Sequence, residues 1–153
     1  MKFAENIGAL KKFRNTVWKF QQTFQTPLND LQTFTSIIVA SGPLTAATIA
    51  IDIVVFEPKH LLDLEARYSI PTTYQPGTSL TAERTPEIQE LLSAVLADSI
   101  DFVFIPDPKP FTIFADHDEF TTFYAQTRSN LNRVVNPLVE AGFKQIQNYR
   151  RQL

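Results

Sequence analysis

The chain of 153 residues has no cysteine, and only four glycines, one methionine and one tryptophan. Without a thiol there is no disulfide, thiolate metal site, iron–sulfur cluster or cysteine nucleophile, and the expected compartment is the reducing cytoplasm. Glycines at 8, 42, 77 and 142 are too scattered to form a phosphate-cradling loop or a dinucleotide fingerprint. Gly-x-Ser-x-Gly and His-Glu-x-x-His are also missing, which removes the α/β-hydrolase and zincin templates. Met1-Lys2-Phe3-Ala4-Glu5 leads into no long apolar run, so a secretory leader is not expected. Residues 31–51 carry no charge and are long enough to cross a bilayer, but Ser41-Gly42-Pro43 interrupts them and threonines dilute them. The expected reading is a helix end followed by a buried strand, with no membrane span.

What is present is apolar and aromatic. Apolar residues make up 44% of the chain and charged residues 20%, with thirteen phenylalanines, a composition that folds around a phenylalanine-rich core. A chain of this length buries roughly 70% of the surface it exposes when unfolded, enough for one domain over 1–153. The net charge of -2 is unevenly spread. Residues 1–30 carry five basic residues against two acids, residues 31–127 four against thirteen, and residues 128–153 five against one. The expectation is that the basic ends pack near the acidic middle and largely cancel it, so nucleic acid is not an expected partner.

Apolar residues from Phe3 to Phe24 recur at steps of three and four, which predicts a long amphipathic helix. Thr26-Pro27 restarts a second helix that stops at Ser41-Gly42-Pro43, giving an N-terminal helical pair over 1–42. Thr48 to Phe56 reads as a central strand, 58–68 as a short helix and 69–85 as a long irregular connection. A helix over 85–98 precedes a hairpin of 102–106 and 111–115, whose prolines suggest that its first strand is an edge. A continuous apolar stripe from Phe120 to Ala141, with Pro137 inside, predicts one long helix, and 143–150 an exposed edge strand. The predicted fold over 46–150 is therefore α+β, a ferredoxin-like split βαβ sandwich (β-α-β-β-α-β, antiparallel sheet) behind the helical pair.

One cluster could carry chemistry. Asp116-His117-Asp118-Glu119 has the spacing of a helix capping box, with Asp116 as cap and Glu119 three residues on. The alternative is a metal site for Mg, Mn or Zn, with Asp116, Asp118 and Glu119 as ligands and His117 moving protons. Consecutive helical residues point in different directions, so a further ligand must come from elsewhere, and Asp52 is the candidate. It is the only charge in the apolar central strand and needs a hydroxyl, an arginine or water. Glu57-Pro58-Lys59 has the residue types of acid-plus-lysine nuclease sites, at a spacing common by chance. His60 is expected to pack beside a short helix.

Arg128, Asn132, Arg133 and Asn136 crowd exposed sides of the last helix, where stronger helix formers would serve if solubility were all that mattered. They are candidate partner-binding residues. No complete catalytic set is present, so the expected function is a non-enzymatic protein-interaction module, an adaptor, assembly factor or inhibitor that acts through helix surfaces. Its expected partner is another protein or a second copy of the chain, with no cofactor. A divalent-metal-dependent hydrolase or nuclease, with His117, Asp118 and Asp52 as catalytic candidates, is the alternative.

Overall fold

The computed structural model describes residues 1–4, 8–71 and 76–151. Its elements are β1 (Lys2–Ala4), α1 (Ala9–Asn15), β2 (Phe20–Gln25), α2 (Leu31–Ala40), β3 (Ala46–Ile53), α3 (Lys59–Arg67), β4 (Ser79–Ala82), α4 (Thr85–Ala97), β5 (Asp101–Asp107), β6 (Thr112–Ala115), β7 (Phe120–Ala125), α5 (Arg128–Glu140) and β8 (Gln145–Ile146). Eight strands form one antiparallel sheet in the order β1-β4-β3-β5-β6-β7-β2-β8. The fold is thus α+β. The sheet ends in strands of three and two residues, short edges that offer little template for unwanted pairing.

Alternation along the strands divides the molecule into two layers. Ile49, Ile51, Leu80, Phe102, Phe104, Ile113 and Phe123 enter the main core with the apolar faces of α2, α4 and α5. Val103, Phe114 and Tyr124 point the other way and pack with Phe13 of α1, with Leu10, Trp18 and Ile105 around them. Aromatic side chains fill the main core as expected: Phe24 lies edge-on to Phe123 with centroids 5.7 Å apart, and Phe34 meets Phe143 edge-on at 5.1 Å. Such pairs add about 1 kcal/mol each beyond the area they bury.

The first 42 residues do not form a helical pair. Gly8, at φ 70, starts α1, and Thr16 leaves it in extended conformation. Phe20 and Phe24, four apart, share a face in a strand as well as in a helix, and pairing with β7 selects the strand. The second helix stands, although it begins at Leu31 and not at Thr26-Pro27, and it stops before Gly42 and Pro43 as its sequence predicts. Among the described residues no helix is long and apolar enough to cross a membrane.

The continuous helix expected from Phe120 to Ala141 is a strand, a bend and then α5. Both faces of β7 are buried, Phe123 toward the helices and Thr122 and Tyr124 away from them, which hides the alternation that marks a strand. Thr127 then caps α5, its hydroxyl accepting the Asn130 N–H at 3.1 Å. Strand β4 lies inside the segment expected to be irregular, of which 72–75 fall outside the described residues. Nor is β5 an edge: it sits between β3 and β6. The last rung with β6 is Phe104 to Ile113, so Pro106 lies past that ladder and removes no donor from it. The eight strands, with β2 between β7 and β8, depart from the four-stranded order of a ferredoxin-like split βαβ sandwich. The polar C-terminal strand is an edge, as expected.

Candidate functional site

Asp116-His117-Asp118-Glu119 does not start a helix; it is the turn of the β6–β7 hairpin. The Asp116 N–H donates to the Phe120 carbonyl at 3.1 Å and the Glu119 N–H to the Asp116 carbonyl at 3.2 Å. The Asp116 carboxylate does cap backbone donors, but those of a turn: one oxygen accepts from the Asp118 and Phe120 N–H groups at 3.0 and 3.2 Å. Glu119 takes the left-handed conformation at φ 66. The other Asp116 oxygen is paired with the guanidinium of Arg151, which lies 4.6 Å from the centre of the Phe114 ring. Arg151 therefore occupies one of the three carboxylates of the candidate metal site.

His117 is held in the same turn from below. Its backbone N–H and its ring Nδ1 both reach one oxygen of Asp101, each at 2.8 Å, while Nε2 stands 3.9 Å from the exposed carboxylate of Asp118. The bond to Asp101, then the negative charges of Asp101, Asp118 and Asp116, raise the His117 pKa above its ordinary value against the opposing effect of burial. His60 of α3 repeats the arrangement with Asp98, which lies on the α4–β5 connection three residues before Asp101. Asp98 accepts from the His60 N–H at 3.0 Å, from its ring Nδ1 at 2.8 Å and from the Leu61 N–H at 2.7 Å. Helix α3 has Pro58 at its capping position and no local side-chain cap, so Asp98 caps it from another element.

Asp52 finds the arginine its burial calls for. It bonds Arg14 of α1 at 2.6 Å, beside an irregularity in the β3–β5 register between Ile51 and Ile53. Glu57 and Lys59 are both exposed. Among the described residues no group of three or more His, Asp or Glu side chains is placed to hold a metal ion.

Three of the four candidate partner-binding residues lie along one groove. Arg128, Asn132 and Asn136 line one side of a groove of about 520 Å³ where α5 meets β2 and β8, and Lys19, Gln22 and Arg150 line other parts of it. Arg133 is exposed and lies outside the groove. Its apolar parts come from Leu131, Val135, Val139 and Phe20. Arg128 is stacked 4.7 Å over the Phe20 ring, which orders the guanidinium while leaving its edge free to bond. Among the described residues that line the groove none is acidic. Among the described residues, the arginine ion pairs are Arg14–Asp52, Arg67–Glu90, Arg84–Glu87 and Arg151–Asp116, and neither Arg128 nor Arg150 has one.

No protein family, curated protein or solved structure matches the chain. Geometry alone must carry the functional reading. Sequence reasoning found the helical side of the groove and missed Lys19, Phe20 and Arg150. Lys19 and Phe20 fall within the helix that the pattern predicts from Phe3 to Phe24, whereas α1 ends at Asn15 and Phe20 begins β2, and no local signal sets Arg150 beside Arg128. It also missed Asp98 and Asp101, because acids near a helix end read as solvated surface.

Proposed function

We propose that the chain is a non-enzymatic protein-interaction module whose docking surface is the groove between α5 and strands β2 and β8. The observation that carries this reading is the make-up of the groove, in which Arg128, Arg150 and Lys19 stand beside carboxamides and apolar side chains. The acids Asp52, Asp116, Asp98 and Asp101 are, by contrast, committed internally, to Arg14, Arg151, His60 and His117. In the groove, cations and carboxamides stand over apolar floor residues without internal partners for the arginines. Arginine in a partly apolar concavity, flanked by amides, is the composition of a binding surface more than of solvated filler.

The test compares wild type with Arg128→Glu and Asn132→Glu in chemical cross-linking and light scattering. A partner or a second copy should cross-link to the groove, notably through Lys19, and be lost in both variants while the fold is kept. Wild-type protein that is monomeric at all concentrations, with the same captured set as the variants, would remove the reading.

A further inference from the structure

Resting on that reading, we infer that the groove takes an extended acidic segment of a partner protein, about five residues long, with its carboxylates on Arg128, Lys19 and Arg150. Among the described residues three cations and no acid line the groove, so its field is positive although the whole chain carries -2. The stacked guanidinium of Arg128 presents its donors with little orientational entropy left to lose, the arrangement that favours forked binding of a carboxylate. Asn132 and Asn136 supply both donors and acceptors, which suit the backbone of an extended chain, while Gln21, Gln22 and Gln145 each spend one amide atom on an internal bond and keep the other.

Length follows from the helix. Arg128 and Val139 bound the α5 side of the groove, and at 1.5 Å per residue that is roughly 16 Å. An extended peptide rises about 3.3 Å per residue, so about five residues fill the same distance. Half-exposed Val139, with the small exposed parts of the buried Leu131 and Val135, gives an apolar floor against which side chains of such a segment can rest while carboxylates reach the rim. The lining also argues against nucleic acid as the occupant. Among the described lining residues Phe20 is the one aromatic ring, and it is already covered by Arg128, which leaves no platform for stacking bases.

The experiment selects a displayed random peptide library on the full-length wild-type chain. Peptides that fail to bind Arg128→Glu are then measured by fluorescence anisotropy against wild type, Lys19→Glu and Arg150→Glu, with far-UV circular dichroism and urea midpoints confirming each fold. The expected result is Asp/Glu enrichment, affinity reduced about tenfold or more by each charge reversal, and weakening as salt is raised. Groove-dependent peptides without acidic enrichment would overturn this inference and leave the interaction module intact. Labelled oligo-dT that binds more tightly than any peptide, with the same variant dependence, would replace the acidic segment with nucleic acid. A library with no peptide that distinguishes wild type from Arg128→Glu would remove both readings together.

Discussion

Replacing Asp98 tests the remote cap of α3. The carboxylate is only 6% exposed and receives three donors, the N–H groups of His60 and Leu61 and the His60 ring. In Asp98→Ala the His60 N–H and ring can turn to water, because that side chain is largely exposed. The Leu61 N–H cannot, since Leu61 is fully buried, and an orphaned buried donor costs about 2 kcal/mol. Loss of the cap and of the negative charge facing the first turn of α3 adds about 1 kcal/mol. Relief of the desolvation of Asp98 itself offsets a fraction of this.

The expected destabilisation is therefore about 3 kcal/mol, which in a chain of this size lowers the melting temperature by roughly 6–12 °C. Urea unfolding should show the midpoint falling with the slope unchanged, and hydrogen exchange should show the Leu61 amide losing more protection than amides at the C-terminal end of α3. Asp98→Asn keeps one acceptor oxygen and should fall between the two. An Asp98→Ala protein within about 0.5 kcal/mol of wild type, or a Leu61 amide no faster than its neighbours, would refute the assignment.

The histidine of the hairpin gives a pH test. Its folded pKa lies above the unfolded value of about 6.5, so the His117–Asp101 bond contributes fully below that pH and is lost as pH rises through the folded value. The urea midpoint of wild type should therefore fall between about pH 6 and pH 8, and the fall should shrink in His117→Gln, which leaves His60 in place; equal slopes in both proteins would disprove the coupling. Arg151→Met should cost about 2 kcal/mol, less than for a deeply buried pair because the guanidinium keeps some contact with water. Asp116→Asn added to it should recover part of the loss, and strictly additive costs in that cycle would mean the pair contributes nothing. Added Mg, Mn or Zn should leave the melting temperature unchanged, measured by scanning fluorimetry. A rise abolished by Asp118→Ala would restore the metal site.

The elements that sequence pattern located correctly are those with one buried face and punctuated ends. Helix α4 has proline at its start and an apolar stripe through Ile88, Leu91, Leu92 and Val95. Helix α2 stops where Gly42 and Pro43 require it to stop. The failures share a physical cause: where both sides of a strand are covered, as in β7, periodicity disappears, and where apolar residues fall four apart, as Phe20 and Phe24 do, strand and helix satisfy the same pattern. The acidic turn was legible as a capping arrangement because aspartate bonds nearby backbone N–H groups in either setting. Whether those groups belonged to a helix or a hairpin depended on β6 and β7 pairing, and no local residue encodes that. Asp52 announced its need for a partner through burial alone; that Arg14 supplies it depends on α1 crossing the opposite face of the sheet.

The uneven charge along the sequence explains why the groove stands apart. Cancellation between the basic ends and the acidic middle is realised by particular pairs: Lys2 with Glu83, Arg14 with Asp52, the terminal amine with Glu87, and Arg151 with Asp116. Each joins a terminal segment to the middle of the chain, and Lys19, Arg128 and Arg150 are among the terminal cations without such a pair among the described residues. Helix α5 and strand β8 lie at the far end of the sheet from β3 and β4, beside β2, and there Lys19, Arg128 and Arg150 meet. Solubility alone would place such residues anywhere on the surface. Their meeting in a concavity lined by amides and apolar side chains requires the strand pairing that seats β2 between β7 and β8.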